Sequence, residues 1–170
     1  MSKKQSRKEA SREIGLQIGL ILGKYFFNTE HLHYGYWTAG LPVTLLNLHT
    51  AQDAHSEFVI SHIPETVKRV LDVGCGSGAL AQRLLEKGYT VDGVSPSRTL
   101  TEHTRQRLGD RVDIFECTYQ DLQADTRYDM VLFSESFQYV PLDAALEKTS
   151  MLLSPGGYLL ICDFFKNETQ

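Results

Sequence analysis

The sequence is poor in cysteine, in proline and in uninterrupted apolar stretches. Its 170 residues include only three cysteines and five prolines. Cys75, Cys117 and Cys162 lack the close spacing of a zinc or redox motif, so we expect reduced thiols in a cytoplasmic protein. Lysine and arginine total 17 against 21 aspartates and glutamates, a net charge of −4. The basic excess typical of nucleic-acid binders is therefore missing.

An apolar stretch near the N-terminus, residues 14–27, predicts a helix rather than a membrane span or a signal peptide. Gln17 and Lys24 interrupt it, it is too short to cross a bilayer, and no small-residue cleavage site follows. Its large apolar side chains recur at helical spacing, which predicts packing against the domain's own core. Glycines at every fourth position also allow close contact with another helix, in a dimer for example. A second helix is expected from about residue 42 to residue 62.

From residue 63 onward, strand and helix signals alternate. We predict five strands, at residues 69–73, 89–94, 112–116, 128–133 and 158–165. Helices are expected at residues 79–87, 97–108 and 143–153, with Ser97 as an N-terminal cap and a turn at residues 155–157. This alternation predicts an α/β fold with a doubly wound parallel sheet. The domain division is then a helical cap or lid, 1–62, and a Rossmann-like core, 63–170.

The most informative segment is the glycine-rich turn that follows the first predicted strand. Glycines at 74, 76 and 78 let a ligand approach the backbone, and the next helix begins with free amides that favour an anionic group. The segment also matches the dinucleotide fingerprint of nicotinamide-dependent enzymes. Two features argue against that alternative. Asp72 could pair with a ligand ammonium group, and Ser95 stands where an acid would hold the ribose of a dinucleotide.

Five segments occur in a characteristic order, at residues 71–78, 92–95, 117–122, 128–131 and 153–157. Together they resemble the signature motifs of class I S-adenosylmethionine-dependent methyltransferases, nearest the subset that includes cyclopropane synthases and sterol and tocopherol methyltransferases. The resemblance implies a strand order of 3-2-1-4-5. It also implies final antiparallel strands that have no counterpart in this sequence. We therefore expect either a fragment or natural truncation, or a second copy or partner chain that covers the edge of strand five.

The same resemblance implies which residues bind S-adenosylmethionine. An aromatic segment at residues 30–37 resembles one that folds over the cofactor in that subset, although Tyr36 and Trp37 could equally well anchor the N-terminal helices. Tyr119 is expected against the adenine ring and Ser134 beside the methionine part. The expected cofactor-binding residues are Tyr34, Trp37, Asp72, Gly74, Cys75, Gly76, Gly78, Ser95, Pro96, Thr118, Tyr119, Gln120 and Ser134.

Methyl transfer from a sulfonium needs positioning and exclusion of water more than a covalent nucleophile. His33 and Glu135 are candidate bases, because each lies in or next to a segment expected near the reacting methyl group. No metal site is predicted, since His31 and His33 lack a third ligand at useful spacing. The predicted function is methyl transfer to an oxygen, nitrogen or carbon atom of a small molecule. A non-catalytic cofactor-binding or regulatory subunit is the alternative, and a nicotinamide-dependent oxidoreductase is less favoured.

Overall fold

The fold is a five-stranded parallel sheet with helices on both faces. The computed structural model describes residues 3–165. The strands are β1 (Arg69–Val73), β2 (Thr90–Val94), β3 (Ile114–Phe115), β4 (Tyr128–Ser134) and β5 (Leu153–Cys162). The helices are α1 (Lys3–Phe26), α2 (Leu48–Ser61), α3 (Ala79–Glu86), α4 (Arg98–Leu108) and α5 (Leu142–Leu152). The sheet order β3-β2-β1-β4-β5 confirms the predicted Rossmann-like architecture.

Both faces of the sheet are buried, which explains why its central strands read as continuous apolar runs. In β4, Met130 and Leu132 point into a core shared with α2 and α3, whereas Val131 and Phe133 point into the opposite core. All four side chains are fully buried. Because the strands are parallel, the residues that follow β1, β2 and β4 meet at one edge of the sheet.

Helix α1 packs in the opposite orientation to the one predicted. Its polar face meets α4: Glu13 accepts hydrogen bonds from the Ser97 hydroxyl (2.8 Å) and the Thr99 amide (3.0 Å). Its apolar side chains face outward, with Ile14 56% exposed and Phe26 73% exposed. The prediction of core packing is therefore wrong, because the N-terminus of α4 supplies hydrogen-bond donors that a carboxylate satisfies better than an apolar side chain would.

Two predicted boundaries also need correction. The second helix begins at Leu48 rather than near residue 42, after a short 3-10 turn at Leu45–Asn47. The predicted turn at 155–157 lies within β5, as a break in its pairing with β4 that resumes at Tyr158. The cap that we predicted at Ser97 is present, with its hydroxyl accepting from the Leu100 amide. Across residues 3–165, no helix combines the length and apolar character needed to cross a membrane.

Candidate active site

The glycine-rich turn connects β1 to α3 and is held against the end of β2. The amides of Gly74 and Cys75 both donate to the Val94 carbonyl, at 2.8 and 3.2 Å, and the Gly78 amide donates to the Cys75 carbonyl at 2.9 Å. Gly78 is the N-cap of α3 and has no side chain to satisfy the first-turn amides. Those amides and the positive end of the helix dipole are therefore available to an anionic group.

Position 74 cannot accept a side chain without rearrangement. A Cβ atom there would lie 2.5 Å from Cβ of Ser136, and the backbone has φ = +77°. The Ser136 hydroxyl donates to the Val73 carbonyl, so the segment after β4 is bonded directly to the end of β1. Glycine at this position keeps the two segments in contact.

Asp72 is a buried carboxylate beneath this turn. The residue is 2% exposed, and its Oδ2 atom has no hydrogen-bond partner among the described residues. Burial raises the pKa of Asp72 to about 7. A carboxylate in this position lacks a cationic partner, and an ammonium group of a ligand would supply one.

The residues after β2 contribute through their backbone and through small polar groups. Ser95 is buried and its Oγ accepts from the Ser97 amide at 3.2 Å, whereas Pro96 is exposed. The Cys75 side chain points away from the turn, and a Cβ added at Gly93 would lie 2.9 Å from its sulfur. Burial raises the pKa of the Cys75 thiol. Cys75 therefore offers a ligand its backbone but not its side chain.

The structure does not place the Tyr119 ring at the site. The side chain is 2% exposed, packs at right angles on Phe133 (5.2 Å between centroids) and shares a hydrogen bond with Thr149 (2.9 Å). This interior position does not support the expectation that Tyr119 lies against an adenine ring, which stays a prediction. Its neighbours remain nearer the surface, since Gln120 is exposed and the Thr118 hydroxyl donates to Asp121. The position of a residue in a motif does not specify the direction of its side chain, and Tyr119 lies in a 3-10 turn, Tyr119–Asp121.

A segment that we call the strap, residues 29–37, crosses from α1 to α2. Gln52 of α2 holds it: the Gln52 Oε1 accepts from the Thr29 hydroxyl at 2.5 Å, and its amide nitrogen donates to the carbonyls of His33 and His31. The Tyr36 amide donates to the Ala51 carbonyl at 2.7 Å. The Gly35 backbone, at φ = +84°, passes so close that a Cβ would lie 2.8 Å from the Ala51 carbonyl carbon.

The aromatic residues of the strap lie on its outer side. Tyr34 is 75% exposed and its ring meets Phe164 edge-on at 5.9 Å. The Trp37 indole donates to the Tyr34 carbonyl at 3.0 Å. The Tyr34 backbone lies close enough to the Glu135 carboxylate to oppose the rise of its pKa, so the strap reaches the end of β4. Ser134 is the last residue of β4 and pairs with Cys162 in β5.

His33, His55 and Glu135 form what we call the histidine–glutamate cluster. One potential ligand atom from each lies within 4.8 Å of the others. His55 Nε2 is 3.6 Å from Glu135 Oε1, and the rings of His33 and His55 are 4.4 Å apart between centroids. Glu135 has a left-handed backbone with φ = +53°, and its amide donates to the Cys162 carbonyl at 2.7 Å. The two predicted candidate bases are thus brought into one cluster.

The histidines of this region are neutral at neutral pH. Burial lowers the pKa of His33 to about 3 and that of His31 to about 4, and it also lowers the pKa of His55. Burial raises the pKa of Glu135, although the Tyr34 amide opposes that shift. Both ring nitrogens of His33 are engaged: Nδ1 accepts from the Gly35 amide at 3.2 Å and Nε2 is 3.1 Å from His31 Nδ1. His33 therefore has no free nitrogen to act as a base.

His55 was not predicted from the sequence as a site residue. This residue lies on the buried face of α2 together with Ala51, Gln52, Ser56 and Val59. Gln52, His55 and Ser56 are three polar residues that lie together on this buried face of the helix. That pattern was the available signal, because buried polar groups need partners that an ordinary core does not supply. His55 has Glu135 and Cys162 on its Nε2 side, whereas its Nδ1 has no partner among the described residues.

Comparison with known proteins agrees with this geometry. Residues 70–157 match the family described as methyltransferase domain, which is just over half of the chain. The chain therefore belongs to this methyltransferase family.

Individual relatives are consistent with that assignment. The chain is 34% identical over 150 residues to the methyltransferase GfsG of Streptomyces halstedii, covering 83% of this chain and 53% of that protein. It is 30% identical over 106 residues to the ubiquinone biosynthesis O-methyltransferase of Vibrio parahaemolyticus, covering 59% and 45%. The chain spans about half the length of the curated relatives that it matches.

Among solved structures, the fold is similar to that of geranyl diphosphate C-methyltransferase from Streptomyces coelicolor. The TM-score is 0.71 at 24% sequence identity, covering 85% of this chain and 59% of that chain. That enzyme was crystallised with Mg²⁺, geranyl-S-thiolodiphosphate and S-adenosyl-L-homocysteine.

Proposed function

We propose that this chain forms the cofactor-binding part of an S-adenosylmethionine-dependent methyltransferase that acts on a small molecule. The observation that carries the proposal is the contact between the glycine-rich turn and the segment after β4. Gly74 touches Ser136, and Glu135 directly precedes Ser136. A ligand bound at the turn would therefore present its reactive end to the histidine–glutamate cluster.

The turn suits the amino-acid part of S-adenosylmethionine. Asp72 offers a buried anionic partner for the ammonium group, and the first amides of α3 offer donors for the carboxylate. Gly76, Ser95 and Pro96 are proposed to line the ribose and adenine side, with Thr118 and Gln120 at its margin. The bound cofactor would supply a methyl group activated by a positive sulfur.

The acceptor would bind between the strap and the end of β4. Glu135 and His55 are proposed to hold its reacting heteroatom, and Glu135 replaces His33 as the main candidate base because its raised pKa favours proton uptake. The strap would exclude water from the methyl group. Ser134, at the end of β4, is proposed as a cofactor contact. Tyr34 and Trp37 are also proposed, because an aromatic face attracts a positive sulfur, and this contact requires them to turn inward from the outer side of the strap.

Several related proteins have names that denote small-molecule methylation, including one O-methyltransferase and one C-methyltransferase. They support a small-molecule acceptor and leave oxygen, nitrogen and carbon acceptors as proposals. The nicotinamide alternative loses its remaining candidate acid. Asp92 is bonded to Arg69 (2.7 Å) and Tyr128 (3.0 Å) and is 4% exposed. We also propose a cytoplasmic location, because all three cysteines are free thiols.

Calorimetric titration with S-adenosylmethionine and, separately, with NAD tests the cofactor. We expect heat from the first and none from the second, and the reverse result would contradict the proposal. A radiolabelled methyl-transfer assay over a panel of hydroxyl, amine and activated-carbon acceptors then tests catalysis. Binding without transfer to any acceptor would favour the non-catalytic alternative.

Glu135→Gln sharpens the catalytic test. We expect kcat to fall at least about 100-fold while the affinity for S-adenosylmethionine changes little, because general-base groups contribute about 10²–10⁴ in rate. His62→Gln is the matched control, since His62 is exposed at the end of α2. An unchanged kcat in Glu135→Gln would remove Glu135 from the proposed mechanism.

A further inference from the structure

The histidine–glutamate cluster has the composition of a metal site. It provides two imidazoles and one carboxylate, and one ligand atom of each lies within 4.8 Å of the other two. Sets of two histidines and one carboxylate hold zinc in catalytic sites and iron in non-haem oxygenases. We propose that His33, His55 and Glu135 bind one divalent first-row transition ion, of which zinc is the best match to imidazole ligands.

The distances require only small movements. Ligand atoms bound to zinc at about 2.0–2.2 Å lie about 3.3–3.6 Å apart in a tetrahedron. His55 Nε2 and Glu135 Oε1 are 3.6 Å apart, so these two atoms lie close to the required separation. The third ligand atom, from His33, lies within 4.8 Å of the other two and would move closer to them on binding. Three protein ligands leave a coordination position open, as in catalytic zinc sites.

An unexplained polar group supports the site. The His55 side chain is 7% exposed, yet its Nδ1 has no partner among the described residues and its Nε2 has only the thiol of Cys162 at 3.5 Å and the distant Glu135 carboxylate. Buried polar groups are nearly always hydrogen-bonded, and exceptions commonly mark an ion, a water or a catalytic role. An ion on Nε2 would replace these two weak contacts with a strong bond, whereas Nδ1 would carry the ring proton and keep its present surroundings.

A second layer of residues would orient His33. Its Nε2 is 3.1 Å from Nδ1 of His31, and His31 Nε2 is 3.6 Å from Asp53, which is paired with Arg83. Metal-bound histidines typically donate their other ring nitrogen to such a partner, which fixes the tautomer. His33 would therefore bind the ion through Nδ1 and keep its bond to His31. The ion would displace the Gly35 amide from Nδ1.

This inference deepens the proposed function and changes one role in it. With the ion bound, Glu135 would be a ligand rather than the base, and the open position of the ion would bind an oxygen-bearing acceptor and lower the pKa of its hydroxyl. Metal binding can nevertheless be measured without methyl transfer. The whole chain is treated with a chelator, exchanged into metal-free buffer, and titrated with Co²⁺ as a spectroscopic probe and with Zn²⁺ by calorimetry. We expect one ion per chain and an intensified visible Co²⁺ spectrum.

The variants are Glu135→Gln and His55→Gln, with His62→Gln as the matched histidine control. Residues that only contact a metal ligand already contribute about 10–100-fold to metal affinity. Glu135→Gln and His55→Gln each remove a direct ligand, so each should weaken Co²⁺ binding by about 100-fold or more. The control should bind as tightly as the unmodified chain. If His55→Gln fails to fold by circular dichroism, Glu135→Gln decides, since it preserves the size of the side chain.

Absence of stoichiometric binding, or binding that Glu135→Gln leaves unchanged, would overturn the metal site. Titration of the same samples with S-adenosylmethionine separates the two proposals. Cofactor binding without metal binding would contradict only the metal site, whereas metal binding without cofactor binding would contradict only the methyltransferase proposal.

Discussion

The two halves of the candidate site are built in different ways. The centre of the proposed cofactor half is one continuous segment, residues 72–78, in which a strand, a glycine-rich turn and a helix follow one another. The acceptor half joins the strap, α2 and the end of β4, whose residues 33, 55 and 135 are far apart in sequence. Local chemistry therefore determines the first half. The second depends on tertiary contacts such as those of Gln52 with the strap.

The largest expected effect concerns the cofactor half. Gly74→Ala would place a Cβ 2.5 Å from Ser136 and strain a residue at φ = +77°. Because a misplacement of about 1 Å can reduce catalysis about 100-fold, we expect a comparable loss of affinity for S-adenosylmethionine, measured by calorimetry. Gly156→Ala is the control: its φ is +79° but its Cβ would meet open space, so it should lower only stability.

Asp72→Asn should weaken S-adenosylmethionine binding by about 10–100-fold, since charged hydrogen bonds contribute about 1.5–3 kcal/mol. The pKa of Asp72 is about 7, and only the ionised form pairs with an ammonium group. The affinity of the unmodified chain for S-adenosylmethionine should therefore rise between about pH 6 and about pH 8, the range centred on the pKa of Asp72. The variant should lose that rise. Asp92→Asn should retain it, and a pH-independent affinity in the unmodified chain would contradict the ammonium contact.

Gln52→Leu tests whether the acceptor half depends on tertiary contacts. The substitution leaves the Thr29 hydroxyl and the His33 carbonyl without their partner, and each buried unsatisfied group costs about 1–3 kcal/mol. We expect lower thermal stability and a loss of methyl transfer that exceeds the loss of cofactor affinity. Gln106→Leu, at an exposed position on α4, is the control. Equal losses of transfer and cofactor affinity would show that the two halves are not separable.

The smallest expected effect lies outside both halves, at the contact between α1 and α4. Burial alone would raise the pKa of Glu13, but hydrogen bonds from Thr99 and Ser97 outweigh it, so the pKa is lowered below 4.5. Glu13→Gln should cost about 0.3–1 kcal/mol at pH 7, less at high salt. A lowered pKa stabilises the folded state at pH values above 4.5, and this stabilisation is lost as the pH falls through the lowered pKa. The difference in melting temperature should therefore shrink as the solution is acidified, and a difference that stays constant on acidification would contradict the carboxylate's role.

The comparison of the two halves also explains which predictions succeeded. The strands and the glycine-rich turn were predicted because periodicity and local backbone chemistry act over a few neighbouring residues. The direction of a side chain needs more information. Tyr119 turned into the core, and the apolar face of α1 turned outward, because neither outcome is encoded by spacing alone. His55 remained unnoticed because its partners come from other segments.

The sequence by itself determined the α/β class, the position of the glycine-rich turn and the family, because a strand, a turn and a helix are specified by residues adjacent in the chain. Only the tertiary structure decided which histidine faces Glu135 and how the strap is held. Those contacts join residues 33, 55 and 135. Their meeting depends on how α2 and the sheet pack together, which is a property of the whole fold.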